Sequence, residues 1–192
     1  MSGVSAARES AVFLDRDGVI NENIAGGYVT AWNQFQWLPG AIAAITLLNR
    51  RGWKVFVVTN QACIARDIAS QAAIDGIHDR MLRELRVQAA CVSGVYVCPH
   101  APENGCACRK PRPGMLLQAA KEHGIDLQAS YFVGDALTDM LAAQAANVQG
   151  ILVRSGLGRS QEEEARRLQA ASYYCETVLE AVEYITRTRT NA

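Results

Sequence analysis

Two aspartates, Asp15 and Asp17, close an apolar run of strand length in the stretch Ala11 to Ile20, and Gly18 follows at once. Residues i and i+2 of a strand point the same way, so both carboxylates would leave the strand end together. Like charges repel, and burial sharpens the repulsion. The pair makes sense around a cation, and hard oxygen ligands suit Mg²⁺. One carboxylate could then attack an electrophile while the other moves a proton. Taken alone, the same residues also read as a strand running into a polar turn, because Asp and Gly are ordinary turn residues. A calcium loop needs a ladder of acidic positions before its glycine. Here Gly18 comes too early and Val19 occupies a ligand position, which sets calcium aside.

Cys98, His100, Cys106 and Cys108 offer three thiolates and one imidazole within a short segment. Four such ligands suit a closed tetrahedral Zn²⁺ site, with free thiols beside a surface histidine as the other reading. A closed site has no open position for chemistry, so its role would be structural, holding a loop over residues 98–110. That loop leads into Arg109 and Lys110, adjacent cations that are otherwise a solvated surface. Behind a pinned loop they become fixed positive charges suited to phosphate oxygens. Asp135 is a third carboxylate able to complete an oxygen site, although it too could belong to a turn. Gly156-Leu157-Gly158 lacks the third glycine of a dinucleotide fingerprint, since position 161 is Gln161, and reads as a turn into a helix. His78 and His123 fall on expected helices and outside the site. Cys63 follows the Thr59-Asn60-Gln61 corner and reads as a packing thiol.

These groups must be positioned by an alternation of strands and helices. Expected strands cover Ala11–Leu14, Trp53–Val58, Val92–Val97, Tyr131–Val133 and Ile151–Val153. Between them, Ala41–Arg51 has helical spacing closed by Gly52, and Ser70 caps a helix running through Ile74, Ile77, Met81, Leu82 and Leu85. Helices also read over Met115–His123 and Leu137–Ala146. Ser160-Gln161-Glu162-Glu163 fits a capping box, and a short strand and helix close the chain over Tyr173–Arg189. Such alternation argues for an α/β fold, a mostly parallel sheet with helices on both faces. Ligands of these sheets bind beyond the carboxyl ends of the strands. Asp15 and Asp17, Thr59 and Asn60, and Asp135 all stand at such ends and would converge on one crevice. Asn21–Leu38, with Gly26-Gly27-Tyr28 and three further aromatics, reads as a flap over it.

Composition bounds the rest. The chain of 192 residues is long enough for one domain, taken as residues 11–192 behind a frayed, disordered terminus at 1–10. Nineteen basic and nineteen acidic side chains balance, which speaks against a nucleic-acid partner. No apolar run approaches the roughly 20 residues needed to cross a bilayer. The first ten residues lack the apolar core of a signal peptide, so a cytoplasmic, reducing location is expected for the six cysteines.

Asp15 to Gly18 as D-x-D-G, Thr59 after the second strand, Lys110, and Gly134-Asp135 with Asp139 following occur in the order found in the haloacid-dehalogenase (HAD) superfamily of phosphatases, which the chain resembles from about Val12 to Val153. Within it, F-L-D-R-D-G, G-Y-V, T-N-Q, I-A-R, C-P-H with C-x-C-R-K-P-x-P-G-M-L, and V-G-D are similar to the branch acting on D-glycero-D-manno-heptose 1,7-bisphosphate. The histidinol-phosphate phosphatases share the zinc loop. The resemblance implies a Rossmann-like HAD fold without a large cap domain, and removal of the 7-phosphate in nucleotide-activated heptose biosynthesis. It implies Asp15 as nucleophile forming an aspartyl-phosphate, and Asp17 as the acid that protonates the leaving alkoxide and then activates water. Mg²⁺ would be held by Asp15, the Asp17 backbone carbonyl and Asp135, and Zn²⁺ by the cysteine–histidine cluster. Thr59 and Lys110 would bind the transferring phosphoryl group. Arg16, Gly27, Tyr28, Asn60, Gln61 and Arg109 would contact substrate, Arg109 at its second phosphate. The partner implied is a small phosphorylated sugar, not nucleic acid or membrane, and the enzyme is expected to be monomeric. Ala62-Cys63 and Asp67 stand where this branch often has Ser-Gly and Gly, which bears on the sugar. Two alternatives stay open: a phosphatase of histidinol phosphate or another small phosphomonoester, and a non-catalytic zinc-stabilised binding protein.

Overall fold

Ala11–Leu14 (β1) is apolar on both sides, and every residue of it is buried. A strand with two apolar faces belongs in the middle of a covered sheet. The computed structural model, described over residues 9–190, places it there. The strands β2 (Lys54–Asn60), β3 (Gly94–Cys98), β4 (Tyr131–Gly134), β5 (Gln149–Val153) and β6 (Tyr173–Cys175) join β1 in one six-stranded sheet ordered β3-β2-β1-β4-β5-β6. All five pairings are parallel. The order turns back at β1, which pairs with both β2 and β4, so a crevice opens beyond its carboxyl end.

Alternate residues of each strand feed two cores. Val12 and Leu14 pack on one face with Val55, Val57 and Val133, under the helices α1 (Ala41–Arg50), α2 (Gln71–Val87) and α6 (Val178–Thr190). Ala11 and Phe13 face the other way with Phe56 and Phe132, under α3 (Gly114–His123) and α4 (Leu137–Ala145). A smaller cluster of Met140, Leu152, Ala165 and Ala170 seats α5 (Gly158–Arg167). The expected sheet, helices on both faces and order of elements are therefore present.

Local readings differ in places: β2 runs on to Asn60, and β5 begins at Gln149 rather than Ile151. The third strand begins at Gly94 rather than Val92 and runs on to Cys98. Ser70 caps α2 as expected, its side chain accepting from the Ala73 amide. The capping box at Ser160 does not form, because α5 starts earlier, with Leu157 at its N-cap, and the Ser160 hydroxyl donates to the Leu157 carbonyl at 2.7 Å. The expectation of a frayed terminus over residues 1–10 changes at Glu9. Residues 1–8 lie outside the described part, but Glu9 bridges to Ile125 and accepts from the Asp126 amide at 2.9 Å.

Candidate active site

The end of β1 turns sharply at Asp15-Arg16-Asp17-Gly18, where the Arg16 carbonyl accepts from the Ile20 amide at 2.8 Å. Asp15, Asp17, Thr59, Asn60, Lys110 and Asp135 line one cavity of about 170 Å³, with Gly27 and Tyr28 of the flap across it. Groups from β1, β2, β4, the loop after β3 and the flap thus meet at the crevice.

Lys110 organises the floor. Its Nζ lies 2.8 Å from Asp15 Oδ1 and 2.8 Å from Asp139 Oδ1, and donates to the Val58 carbonyl at 2.9 Å. The two carboxylates meet the ammonium as ion pairs, and the carbonyl meets it as a hydrogen bond. Burial works against its charge, but Asp139 and Asp15 override it and hold the lysine well above its ordinary pKa. Asp139 in turn accepts from the Ala136 amide at 3.0 Å, closing the first turn of α4.

The carboxylates outnumber the cation. Asp15, Asp135 and Asp139 bring oxygens within 4.8 Å of one another, around one ammonium. Burial, opposed by Lys110 and reinforced by Asp139, pushes Asp15 up to about 7. Burial, then Asp15 and Asp139, pushes Asp135 up to about 8. A site that strains against its own negative charge, built from hard oxygen donors, fits a small divalent cation.

Asp135 is fixed by close approach of backbone. Leu157 donates its amide to Oδ2 at 2.7 Å. A Cβ on Gly18 or Gly156 would come within 2.2 Å or 2.1 Å of that oxygen, and both glycines have positive φ. The Gly156-Leu157-Gly158 segment, read from sequence only as a turn, therefore helps to build the site.

Asp17 is held differently. Arg16 Nη2 reaches Oδ1 at 2.9 Å and Oδ2 at 2.8 Å, Asn21 donates to Oδ1 at 2.9 Å, and Gln61 donates to Oδ2 at 2.8 Å. Arg16 is wholly buried and Gln61 is 1% exposed, neither lines the cavity, and both side chains hold Asp17. Gln61 also donates to Thr59 Oγ1 at 2.9 Å. Arg16 Nη1 sits 3.0 Å from His78 Nε2. Sequence reasoning left His78 outside the site, yet its spacing of four from Ile74 already put it on the buried face of α2. It also gave no role to Asp139 or Asn21. The acidic residue at the third position of α4 was the available sign for Asp139.

The cysteine–histidine cluster assembles as expected. Sγ to Sγ separations are 3.6, 3.4 and 3.3 Å, and His100 Nδ1 lies 3.7 Å from Cys98 Sγ and 3.3 Å from Cys108 Sγ. Bonds of about 2.3 Å to a central zinc imply tetrahedral edges of about 3.8 Å. The four atoms are gathered at nearly that size, and none of the cysteines is in a disulfide. The loop is also tied to β2. Asn60 accepts from the Lys110 amide at 3.2 Å and donates to the Lys110 carbonyl at 3.1 Å. Arg109 donates to the His100 carbonyl at 3.0 Å and lines an adjoining cavity of about 360 Å³ with Arg112, Lys110 and Thr138.

The flap rests on α2. Trp32 stacks on Phe35 at 4.6 Å, Phe35 meets Trp37 edge-on, and Arg80 lies over Trp32. Trp37 Nε1 donates to Glu84 Oε2 at 2.9 Å, and Arg66 donates to the Tyr28 hydroxyl at 2.8 Å.

Comparison with known proteins bears on this arrangement. Residues 107–181 match the HAD-hydrolase-like family model. The D-glycero-beta-D-manno-heptose-1,7-bisphosphate 7-phosphatase of Pseudomonas aeruginosa is 41% identical over 149 residues, covering 78% of this chain and 83% of the relative. The enzyme of the same name from Escherichia coli K12 is 44% identical over 154 residues, covering 76% and 80%. The crystal structure of D,D-heptose 1,7-bisphosphate phosphatase from B. bronchiseptica, complexed with magnesium and phosphate, superposes with a TM-score of 0.87 at 34% identity, covering 95% of this chain and 99% of that one. With relatives this similar over most of their length, the chain belongs to the HAD-like hydrolases and, among them, to the family of the D-glycero-beta-D-manno-heptose-1,7-bisphosphate 7-phosphatases.

Proposed function

We propose that this phosphatase removes the 7-phosphate of D-glycero-D-manno-heptose 1,7-bisphosphate, on the way to nucleotide-activated heptose. The observation that carries the reading is the meeting of Asp15 and Lys110 at 2.8 Å on the floor of a cavity that Asp17 and Asp135 also line. Asp15 attacks phosphorus and becomes an aspartyl-phosphate; the sugar oxygen leaves and takes a proton from Asp17. Asp17, now a base, removes a proton from the water that cleaves the acyl-phosphate, so the enzyme returns to its starting state. Thr59 and Lys110 bind the phosphoryl oxygens. Asp15, the Asp17 backbone carbonyl and Asp135 would hold Mg²⁺, which when bound neutralises charge on the transferring group. Cys98, His100, Cys106 and Cys108 would hold Zn²⁺ and keep Arg109 beside the site, to meet the phosphate that does not react. Gly27, Tyr28 and Asn60 border the sugar. In the same reading the enzyme is a cytoplasmic monomer that binds no nucleic acid or membrane, in keeping with balanced charge and six free thiols.

Phosphate release with Mg²⁺ from heptose 1,7-bisphosphate, histidinol phosphate and fructose 1,6-bisphosphate tests it. The heptose is expected to have the highest kcat/KM. Preference for histidinol phosphate would sink the assignment and leave the phosphatase chemistry in place.

A further inference from the structure

Behind Asp17 lies a chain of buried polar groups that none of the steps above uses. The Arg16 guanidinium has no exposed surface, and its two edges face opposite ways. Nε and Nη2 face the Asp17 carboxylate, and Nη1 faces His78 Nε2 at 3.0 Å. His78 is 5% exposed and sits on α2 among Ile74, Ile77 and Met81. Arginine has only donors, so the short contact requires Nε2 to accept and the ring proton to sit on Nδ1. Burial, then the neighbouring Arg16 charge, lowers His78 to about 4, which keeps the ring neutral and the acceptor free at ordinary pH.

We propose that His78 is a positioning residue for phosphoryl transfer, acting through Arg16 to aim the carboxylate of Asp17. This rests on the reading of Asp17 as proton donor and not on which sugar is the substrate. A buried guanidinium that loses its only acceptor on one edge must turn to find another, because an unmet buried donor is costly. Turning Nη1 carries Nη2 with it, and Nη2 is the atom that spans both oxygens of Asp17. Asn21 and Gln61 keep their own bonds to the carboxylate, so the aim is degraded rather than lost.

The test exploits the leaving group. Expulsion of an alkoxide needs the proton from Asp17, whereas a nitrophenolate leaves without it. The quotient of kcat/KM for glycerol 2-phosphate over that for p-nitrophenyl phosphate therefore reports the proton transfer, and kcat/KM excludes the later hydrolysis of the acyl-phosphate. Asp17→Asn should lower this quotient steeply. His78→Phe keeps a ring without a nitrogen acceptor and should lower it about tenfold, a part of the roughly 10²-fold or more that general acid catalysis supplies. His78→Gln, which can accept from Nη1, should restore it. His78→Met stands in if the phenylalanine variant does not fold. Loss of both activities in equal measure, or no loss, in a folded acceptor-less variant would overturn the role of His78. An unchanged quotient in Asp17→Asn would instead overturn the reading of Asp17, and the inference with it.

Discussion

Lys110 pairs with two buried carboxylates and donates a hydrogen bond to the Val58 carbonyl. Removing one partner of a buried ionic cluster is costlier than removing the whole, because the remaining charges lose their compensation. Lys110→Met should therefore destabilise the fold by about 3–5 kcal/mol besides abolishing turnover. Urea denaturation at neutral pH checks this, and a loss below about 1 kcal/mol would show that the lysine serves substrate alone. His78 gives a second expectation, this one in pH. Its ordinary pKa of 6.5 falls to about 4 in the fold, with burial and then Arg16 lowering it and Asp17 and Asp75 opposing. Between those values the unfolded chain binds more protons than the native one, so stability rises with pH through that window and is lost as pH falls from 6.5 toward 4. The contribution across the window is on the order of 3 kcal/mol, and His78→Gln should remove that part of the rise in unfolding free energy between pH 4 and 6.5. Parallel slopes for the two proteins would refute it. At this scale the sequence was uneven in what it revealed. Asp15, Asp17 and Asp135 stood out by type and position at strand ends, and Lys110 by its place behind the cysteine cluster. Arg16 and Gln61 did not, because a polar residue beside a catalytic one looks the same whether its side chain turns toward substrate or back into the protein.

A strand end can carry a catalytic residue only if the segments beyond it are tethered, and here two irregular segments are. The loop from Cys98 to Lys110 is fixed at its start by pairing of Cys98 with Asn60 in the sheet, and at its end by the two hydrogen bonds between Asn60 and Lys110. Between these points the cysteine–histidine cluster, holding Zn²⁺ as proposed, would be its main anchor, helped by Arg112, which donates to the Gly105 and Cys106 carbonyls. Chelation should thus release the middle of the loop before its ends. We expect hydrogen exchange to quicken first at residues 101–108, with a lower melting temperature and a raised KM for the bisphosphate. Unaltered exchange and melting after zinc removal has been verified by metal analysis would contradict this. The flap is tethered by aromatic packing and by Trp37 to Glu84. Trp37→Phe keeps the ring packing and loses that bond, so KM should rise a few-fold, equivalent to about 1 kcal/mol, with kcat held. A fall in kcat at constant KM would mean that the flap takes part in chemistry. The flap could be located from its glycines and aromatics, but its resting place on α2 could not. That contact joins residues far apart in sequence and depends on which face of the sheet α2 covers.

The order β3-β2-β1-β4-β5-β6 puts the shortest route between distant motifs through β1. Alternation of strands and helices predicted a parallel sheet, and right-handed crossovers leave few ways to wind one. What periodicity could not supply was the turn-back at β1, because nothing local to Ala11–Leu14 says that its neighbours are β2 and β4. That arrangement makes β1 the strand whose packing counts most. Phe13 is wholly buried, stacks on Phe56 at 5.5 Å, and stands two residues before Asp15. Phe13→Ala should cost about 3–5 kcal/mol, the range for emptying an aromatic site in a core. For a chain of this length that lowers the melting temperature by roughly 6–20 °C. Val87 is 82% exposed at the end of α2, and Val87→Ala should stay within about 0.5 kcal/mol. The contrast separates burial from mere apolarity. Because Asp15 is also gripped by Lys110 and by its own amide to the Val133 carbonyl at 3.0 Å, the Phe13 variant should keep most of its kcat well below its melting point. Denaturant unfolding and kinetics on the same samples decide the matter. Activity that falls in step with stability even at low temperature would mean that the sheet centre, and not the polar grip of Lys110, sets the position of Asp15.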